Sequence, residues 1–474
     1  MDFTIQKVLI LTGTEYRTVD VQIEGDTIAQ IAPDLDAKGA IVDGTNKLLL
    51  PGFINAHTHS SEMWQRGLIS PYPLELWLTQ LYDCPIVDIE QIYLSALGTA
   101  AETFLSGGTC VVDHLVLIPG QEMETVAATI RGYRDIGIRA FVGPLIYDRE
   151  LDAGIPDEGA NREIEPFYWT AEQNLNFLQA AIKQFHRPEE GISIMTAPTG
   201  MQLCSDELFK GCIELSDRYH LCRHTHLLET KAQEKLAWEK YGCTAVEHLD
   251  RIGFLSDRTS LAHCVWLNDE DISILARTGS TVAHNPLSNL RLGSGIAPVL
   301  KYRQAGVNVA FGCDGTASSD GQDMLEAIKI GTMLHNTTDF EYRKWIDPKE
   351  AVKMAALGGA KGIQSDDKIG SLDVGKKADL VLYDLTDLSL LPRTDPVRLL
   401  IYGRPNQVVD SVWVNGDRLV EAGKPTRIDL EKLRQDFFKY SDWQSDTKSV
   451  TTQKMEAHYR HVMGLENYSS ESSL

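Results

Sequence analysis

Residues 51–59 read Pro-Gly-Phe-Ile-Asn-Ala-His-Thr-His, a short apolar run that ends in two histidines separated by one residue. An apolar run of this length after a glycine is typical of a buried β-strand. Successive side chains alternate along a strand, so His57 and His59 point to the same face. The stretch therefore predicts a buried strand that carries two imidazoles at its carboxyl end.

Further apolar runs follow, and amphipathic stretches of helical length separate most of them. This alternation predicts βα units and a parallel sheet. The predicted strands are Phe53–His59, Thr109–Leu115, Ile138–Tyr147, Ile192–Thr199, Leu221–Glu229, Thr259–Trp266, Ser280–His284 and Val307–Asp314. The helices predicted between them include Gln91–Leu105, Glu122–Asp135, Ala171–Gln184 and Asp206–Arg218. Eight strands in this arrangement predict an α/β fold, a closed (βα)8 TIM barrel.

The two ends of the chain share a different sequence pattern, in which Gly, Asp and Asn turn residues separate short predicted strands. Residues 8–42 show it, and it returns in Ala378–Asp384 and Val409–Val420, where Asn415-Gly416 is a strong hairpin signal. We expect the two ends to pair into one small flanking β-sandwich. The predicted domains are residues 1–50 and 371–425 for the two parts of the sandwich, 51–370 for the metal-dependent barrel, and 426–474 for a C-terminal helix and tail.

Composition narrows the class of partner. The formal net charge of −22 disfavours nucleic acid and anionic membrane surfaces, both of which reward positive patches. No apolar run approaches the roughly 20 residues of a membrane helix. The eight cysteines are scattered without CxxC pairs, which favours a reducing, cytoplasmic location. We expect a small molecule as the partner, with neither nucleic acid nor membrane.

Polar residues close several of the predicted strands, at the barrel end where active sites lie. His57 and His59 end the first strand, and His226, His263 and Asp314 stand near the ends of the fifth, sixth and eighth. Imidazole and carboxylate ligands suit zinc or iron, and a catalytic site leaves one position open for water. The alternative is that each histidine is a hydrogen-bonded core residue and that Asp314 caps the following loop. Agreement among separate strand ends favours a metal site with the ligands His57, His59, His226 and Asp314.

Five motifs stand at or near the predicted strand ends, and they are Pro51–His59, His226-x-x-Glu229, Leu261-Ala262-His263-Cys264, His284-Asn285-Pro286-x-Ser288-Asn289-Leu290 and Gly312-Cys313-Asp314-Gly315. Together they resemble the amidohydrolase superfamily, in the branch of methylthioadenosine/S-adenosylhomocysteine, 8-oxoguanine and guanine deaminases and triazine hydrolases. The resemblance runs from about Val8 to Gly423, nearly the whole chain. It implies a homo-oligomer and one divalent metal, zinc before iron, at the four predicted ligands.

The same resemblance implies the roles of the catalytic residues Glu229, His263 and Asp314. Glu229 would protonate a ring nitrogen and pass the proton to the leaving amine. His263 and Asp314 would orient a water whose pKa the metal lowers towards neutrality. The predicted activity is hydrolytic deamination of an amino-substituted aromatic N-heterocycle, with purines, pterins and triazines all open. This is a hydrolase of carbon–nitrogen bonds other than peptide bonds, in cyclic amidines.

Substrate contacts are harder to assign. Cys313 and Trp266 replace the Thr and His that many relatives carry, which puts a nucleoside substrate in doubt. The segment 60–84 offers aromatic surface for stacking on a planar ring, or a lid that packs on the barrel rim. Residues 149–168 resemble a surface loop or second lid. The candidate substrate contacts are Trp64, Arg66, Trp77, His114 and Trp266, with loop anchoring an equal alternative for His114. We expect structural roles for His224 and His284.

Three other functions are alternatives to deamination. A hydrolase on the same scaffold can remove chloride or an alkylamine from an s-triazine, and the sequence does not separate this from deamination. A two-metal cyclic amide hydrolase needs a bridging lysine, which the predicted strand Ile192–Thr199 lacks. A non-enzymatic scaffold should have lost ligands, whereas this chain keeps all of them together with Glu229.

Overall fold

The computed structural model describes residues 2–159, 169–403, 405–440 and 450–465. The strands are β1 (Phe3–Thr12), β2 (Glu15–Glu24), β3 (Thr27–Ala32), β4 (Ala40–Asp43), β5 (Lys47–Pro51), β6 (Phe53–Thr58), β7 (Gly108–Leu115), β8 (Arg139–Pro144), β9 (Ile192–Ile194), β10 (Arg223–Leu227), β11 (Thr259–His263), β12 (Thr281–His284), β13 (Asn308–Phe311), β14 (Leu380–Asp384), β15 (Val409–Val414), β16 (Asp417–Glu421) and β17 (Lys424–Pro425). The α-helices are α1 (Leu74–Tyr82), α2 (Ile89–Leu105), α3 (Glu122–Ile136), α4 (Ala171–Phe185), α5 (Asp206–Tyr219), α6 (Lys231–Tyr241), α7 (Ala245–Arg251), α8 (Asp269–Thr278), α9 (Pro286–Arg291), α10 (Val299–Ala305), α11 (Thr316–Ser319), α12 (Met324–Met333), α13 (Pro348–Lys353), α14 (Gly359–Gly362), α15 (Pro396–Gly403), α16 (Leu430–Phe438) and α17 (Val450–Val462).

The eight predicted strands are all present as β6 to β13. They form two parallel four-stranded sheets, in the orders β6-β7-β8-β9 and β10-β11-β12-β13. Isolated parallel bridges, Thr196 to Arg223 and Gly200 to His226, join the chain after β9 to β10. At the other junction the Asp314 N–H donates to the His57 carbonyl at 2.9 Å. The fold is thus mixed α/β as predicted, although no continuous strand ladder closes a barrel among the described residues.

Several of the predicted strands extend too far at their carboxyl ends. The prediction carries the fourth strand to Thr199, whereas β9 ends at Ile194. At the ends of the ladders or just beyond them, the backbone turns into the left-handed region, with φ of 45° at Leu228, 72° at His263 and 63° at Asp314. Such conformations are unfavourable for non-glycine residues and concentrate at functional sites. The hydrophobic pattern continues through these positions, so sequence alone does not show where the ladder stops.

Both chain ends contribute to one flanking sheet of nine strands, in the order β17-β16-β15-β14-β5-β1-β2-β3 with β4 beside β1. The prediction of a shared flanking sheet is confirmed, although it missed β5, which joins the two parts by pairing with β14. Trp413 in β15 stacks on Phe3 in β1 at 5.4 Å between ring centroids. Two strands separate them in the sheet order, and strands lie about 4.8 Å apart. The sheet therefore curls over its own buried face.

The C-terminal region is more ordered than a helix followed by a loose tail. The predicted helix is present as α16, and α17 was not predicted. Met455, Tyr459 and Val462 of α17 are buried against Leu76 of α1 and against Ile155. These three apolar residues recur at helical spacing, a signal hidden by the polar composition around them. Residues 441–449 and 466–474, and residues 160–168 of the predicted loop, lie outside the described residues.

Two further observations bear on the environment of the protein. None of the helices in the described part of the chain has both the length and the apolar character needed to cross a membrane. All eight cysteines are free thiols, and seven of them are buried.

Candidate active site

The predicted metal ligands converge at the carboxyl ends of the strands. The Nε2 atoms of His59 and His226 lie 3.2 Å apart. Asp314 Oδ1 lies 3.3 Å from His57 Nε2 and 3.4 Å from His59 Nε2. Ligand atoms on a tetrahedral metal with bonds of about 2.0–2.1 Å are separated by about 3.4 Å. These three separations therefore match those between ligand atoms on a tetrahedral metal such as zinc.

Each of the three imidazoles is oriented through its other ring nitrogen. His59 Nδ1 donates to the His114 carbonyl at 2.5 Å, and His226 Nδ1 donates to the Thr199 carbonyl at 2.6 Å. His57 Nδ1 lies 2.8 Å from His224 Nε2, while its own Nε2 is buried without a hydrogen-bond partner. Because a carbonyl only accepts, the proton sits on Nδ1 and leaves the Nε2 lone pair free for a metal.

The protonation states suit metal binding as well. Burial lowers the pKa of His57 to about 4 and the pKa of His226 well below its usual value. Burial alone raises the pKa of Asp314, but the neighbouring imidazoles of His57, His263 and His59 hold that pKa well below its usual range. The cluster therefore presents neutral imidazoles and an ionised carboxylate, the forms that coordinate metal.

Replacement of His224 tests the orientation of His57. His224→Ala removes the partner of His57 Nδ1, and the freed imidazole can rotate away from the other ligands. We expect metal affinity to fall roughly 10- to 100-fold, the usual effect of losing such a partner. Competition against a chelator of known affinity measures the change. His224→Gln, which keeps a hydrogen-bonding group, should lose less, and unchanged affinity in His224→Ala would remove this role.

Glu229 and His263 lie together beside the cluster. His263 Nε2 is 3.5 Å from Glu229 Oε2 and 3.9 Å from Asp314 Oδ2. His263 Nδ1 bonds to Asn289 Oδ1 at 2.9 Å, and Ser294 Oγ donates to Glu229 Oε1 at 3.1 Å. Burial raises the pKa of Glu229. A carboxyl of raised pKa, fixed at one oxygen, is suited to hold and transfer a proton near neutral pH.

A cavity opens directly onto this cluster. Among its lining residues are His59, His226, Glu229, His263 and Asp314. Most of the other lining residues are apolar, and these are Leu74, Trp77, Leu78, Leu81, Val116, Leu145, Leu203 and Leu292. The polar residues that complete the lining are Glu62, Tyr82, Thr199, Gln202 and Ser318. Such a lining suits a planar, largely apolar molecule with a few fixed polar contacts.

The five predicted substrate contacts separate into two groups. Trp77, on α1, lines the cavity. Trp64 instead packs on Phe437 and donates to the Gln91 carbonyl, and Arg66 forms a paired salt bridge with Glu102. Both side chains are thus engaged away from the cavity lining.

His114 and Trp266 are also absent from the cavity lining. His114 is fully buried, stacks on His226 at 4.7 Å between ring centroids and lies 3.0 Å from the Ala197 carbonyl through Nε2. Trp266 donates to the Ser294 carbonyl at 2.8 Å, and Ser294 in turn contacts Glu229. Both residues support the site from outside the cavity.

Sequence reasoning gave no role to Glu62, which is 5% exposed and lines the cavity. The only sequence signal was an acidic residue three positions after His59 in a segment expected to be buried. Glu62 belongs to a 3-10 turn, Ser60–Gln65, which follows β6 directly.

The strand-end ligands, the buried glutamate and the cavity above them define the class, a metal-dependent hydrolase of carbon–nitrogen bonds in cyclic amidines. The chain belongs to the amidohydrolase family, whose model matches residues 48–419. A 5-methylthioadenosine/S-adenosylhomocysteine deaminase of Caldanaerobacter subterraneus is 33% identical over 444 residues, covering 91% of this chain and 96% of that protein.

Solved structures agree with the family. A triazine hydrolase from Arthrobacter aurescens has a TM-score of 0.86 at 27% identity, covering 92% of this chain and 99% of that one. An adenosine deaminase from Xanthomonas campestris has a TM-score of 0.83 at 26% identity, covering 93% and 97%, and holds zinc. The predicted cofactor, one divalent metal with zinc first, is confirmed for this family.

Proposed function

We propose that His57, His59, His226 and Asp314 hold one zinc ion, and that Glu229 and His263 then serve the deamination of an amino-substituted aromatic N-heterocycle. The ring is of purine, pterin or triazine type. The observation that carries the proposal is the set of 3.2–3.4 Å separations among the candidate ligand atoms. Glu229 lies beside them, 3.5 Å from His263 Nε2 through its Oε2 atom. The relatives named as deaminases support the same reaction.

His263 and Glu229 have different roles in the proposed reaction. When bound, the metal supplies a water of lowered pKa. His263, fixed by Asn289, places its Nε2 between Glu229 and Asp314, where it orients the attacking water. Glu229 donates its proton to a ring nitrogen, which makes the adjacent carbon electrophilic. The carboxylate then takes one proton of the water as the water oxygen bonds to that carbon, and passes it to the amine. The C–N bond breaks and ammonia leaves, while the remaining hydroxyl proton returns to Glu229 and the ring keeps a carbonyl.

A second candidate reaction uses the same residues on a different leaving group. The likeness to a triazine hydrolase, and to an atrazine chlorohydrolase solved with zinc, supports removal of chloride or an alkylamine from an s-triazine. The roles of His263 and Asp314 would be unchanged, because only the bond that breaks differs.

The proposal also covers the closure of the barrel, the domain boundaries, the cellular location and the oligomeric state. The two four-stranded sheets are the halves of one (βα)8 barrel within residues 51–370, and residues 1–50 and 371–425 form a curled sandwich. The Asp314 to His57 hydrogen bond and the bridges after β9 support closure. Residues 426–474 are assigned to a C-terminal helix and tail. The free thiols support a cytoplasmic location, and a homo-oligomer remains the expected assembly.

Ammonia release from the zinc-loaded protein tests the reaction. The panel contains guanine, 8-oxoguanine, adenosine, methylthioadenosine, isoxanthopterin, cytosine and melamine, with chloride release from atrazine measured alongside. We expect ammonia from at least one ring. Chloride release alone would favour the second candidate, and silence throughout from a protein that holds its metal would refute deamination of these ring classes.

A further inference from the structure

Glu62 presents an unused acceptor to the cavity. Its side chain lines the same cavity as Glu229 and Asp314, and its Oε2 atom is buried with no hydrogen-bond partner among the described residues. A buried carboxyl oxygen without a partner is costly, so such atoms usually have a ligand or a water to bind. The mechanism above uses Glu229 and His263 and leaves Glu62 without a role.

The chain leaves space for this carboxyl beside a metal ligand. A Cβ atom at Gly315 would overlap Glu62 Oε2 and lie 2.6 Å from its Cδ. The backbone at Gly315, with φ −69° and ψ 151°, is one that any residue adopts. Glycine at this position is therefore not needed for backbone conformation, and its missing side chain is what accommodates Glu62 next to Asp314.

Trp77 adds a donor to the same cavity. It is 3% exposed, and its Nε1–H is buried without a hydrogen-bond partner in the described part of the chain. Two residues that line the cavity, Glu62 and Trp77, thus carry a buried acceptor and a buried donor without a partner among the described residues. Amino-substituted N-heterocycles present the complementary groups, N–H donors beside ring-nitrogen acceptors.

We propose that Glu62 determines specificity by accepting a hydrogen bond from a second N–H group on the substrate ring, in addition to the amine that departs. The cavity would therefore select diamino-substituted over monoamino-substituted N-heterocycles. This inference rests on the proposed function and names its substrate class more closely.

The position of Glu62 indicates that it contacts the heterocyclic ring of the substrate rather than a distant substituent such as a sugar. Its carboxyl lies against Gly315, the residue directly after the ligand Asp314. The reacting carbon must lie beside the metal, so a group next to Asp314 meets the heterocycle itself. A site built to bond an N–H group rejects the analogue that lacks it, because the buried acceptor is then left unpaired.

Matched ring pairs that differ by one amino group test the inference. The pairs are 2,6-diaminopurine with adenine, 2,4-diaminopteridine with 4-aminopteridine, and 2,4-diamino-s-triazine with 2-amino-s-triazine. The zinc-loaded full chain is measured by calorimetric Kd and by ammonia release. We expect the wild type to favour the diamino member of the best pair by roughly 10- to 100-fold. Glu62→Gln, which keeps one uncharged acceptor oxygen, should reduce that preference, and Glu62→Leu, which keeps none, should remove most of it.

Two further variants sharpen the test. Gly315→Ala should displace the same carboxyl and reduce the preference, with zinc content checked by elemental analysis. Glu75→Gln is the matched control, because Glu75 is also a buried glutamate but bonds to Thr230 and does not line this cavity. Its diamino preference should equal that of the wild type.

The possible results separate the inference from the function on which it rests. Equal preference in wild type and Glu62→Leu, with ammonia released and zinc retained, would overturn the role of Glu62 and leave deamination standing. A Kd preference that responds to Glu62→Leu without any ammonia release would support the recognition and refute the reaction. If neither member of any pair binds the wild type, both are wrong.

Discussion

Glu229→Gln retains one zinc ion per chain and lowers kcat by roughly 10³-fold. The amide keeps the shape of the side chain and its contact with Ser294 but removes the proton that the carboxyl holds through its raised pKa. General acid–base groups contribute about 10²- to 10⁴-fold to catalysis, and here one carboxyl serves both proton transfers. Steady-state ammonia release, with zinc determined on the same sample, measures both quantities.

Ser294→Ala is the control for this variant. It removes the neutral hydrogen bond to Glu229 Oε1 while leaving the carboxyl in place, so we expect a loss of kcat of less than about 10-fold. A Glu229→Gln protein with a near-normal kcat would exclude Glu229 from the reaction. A protein that has also lost its zinc would show that Glu229 supports the metal site instead.

Asp314→Asn releases the metal while the protein stays folded. The carboxylate lies within 3.4 Å of two ligand nitrogens, and its depressed pKa shows how strongly the site favours the ionised form. An amide oxygen carries no charge and binds zinc poorly. We expect less than about a tenth of the wild-type zinc by elemental analysis, and a loss of activity to match. His226→Ala should behave in the same way.

Asp320→Asn provides a matched comparison, because Asp320 follows α11 in the same segment but pairs with Arg291 at a half-exposed position. Zinc content should be unchanged in this variant. Circular dichroism separates loss of metal from loss of fold. Full zinc retention in both Asp314→Asn and His226→Ala would contradict the proposed ligand set.

The strands and the predicted ligands were visible in the sequence because both depend on local pattern. A buried parallel strand needs a continuous apolar run, and a polar residue at its end stands out against that run. Asp314, His263, His57 in β6 and His59 directly after β6 could be recognised in this way. Their approach to one another follows from the topology, which places the carboxyl ends of parallel strands at the same side.

The cavity walls depend on how a long connecting segment packs, which no local pattern shows. Trp64 and Trp77 belong to the same segment, yet Trp64 packs against α16 and Trp77 faces the cavity. Glu62 resembled an ordinary acidic residue until its burial beside Gly315 was known. The partner of α1 is α17, more than 360 residues further along the chain, and its three apolar contacts were hidden in a polar sequence.

Metal-dependent ammonia release tests the central claim most directly. The protein is stripped of metal with a chelator, assayed on the best ring of the panel, and assayed again as zinc is added back in steps. The account predicts no activity in the stripped protein and a linear recovery that stops at one zinc per chain. Full activity in the stripped protein, or recovery that needs two zinc ions per chain, would contradict a single metal held by His57, His59, His226 and Asp314.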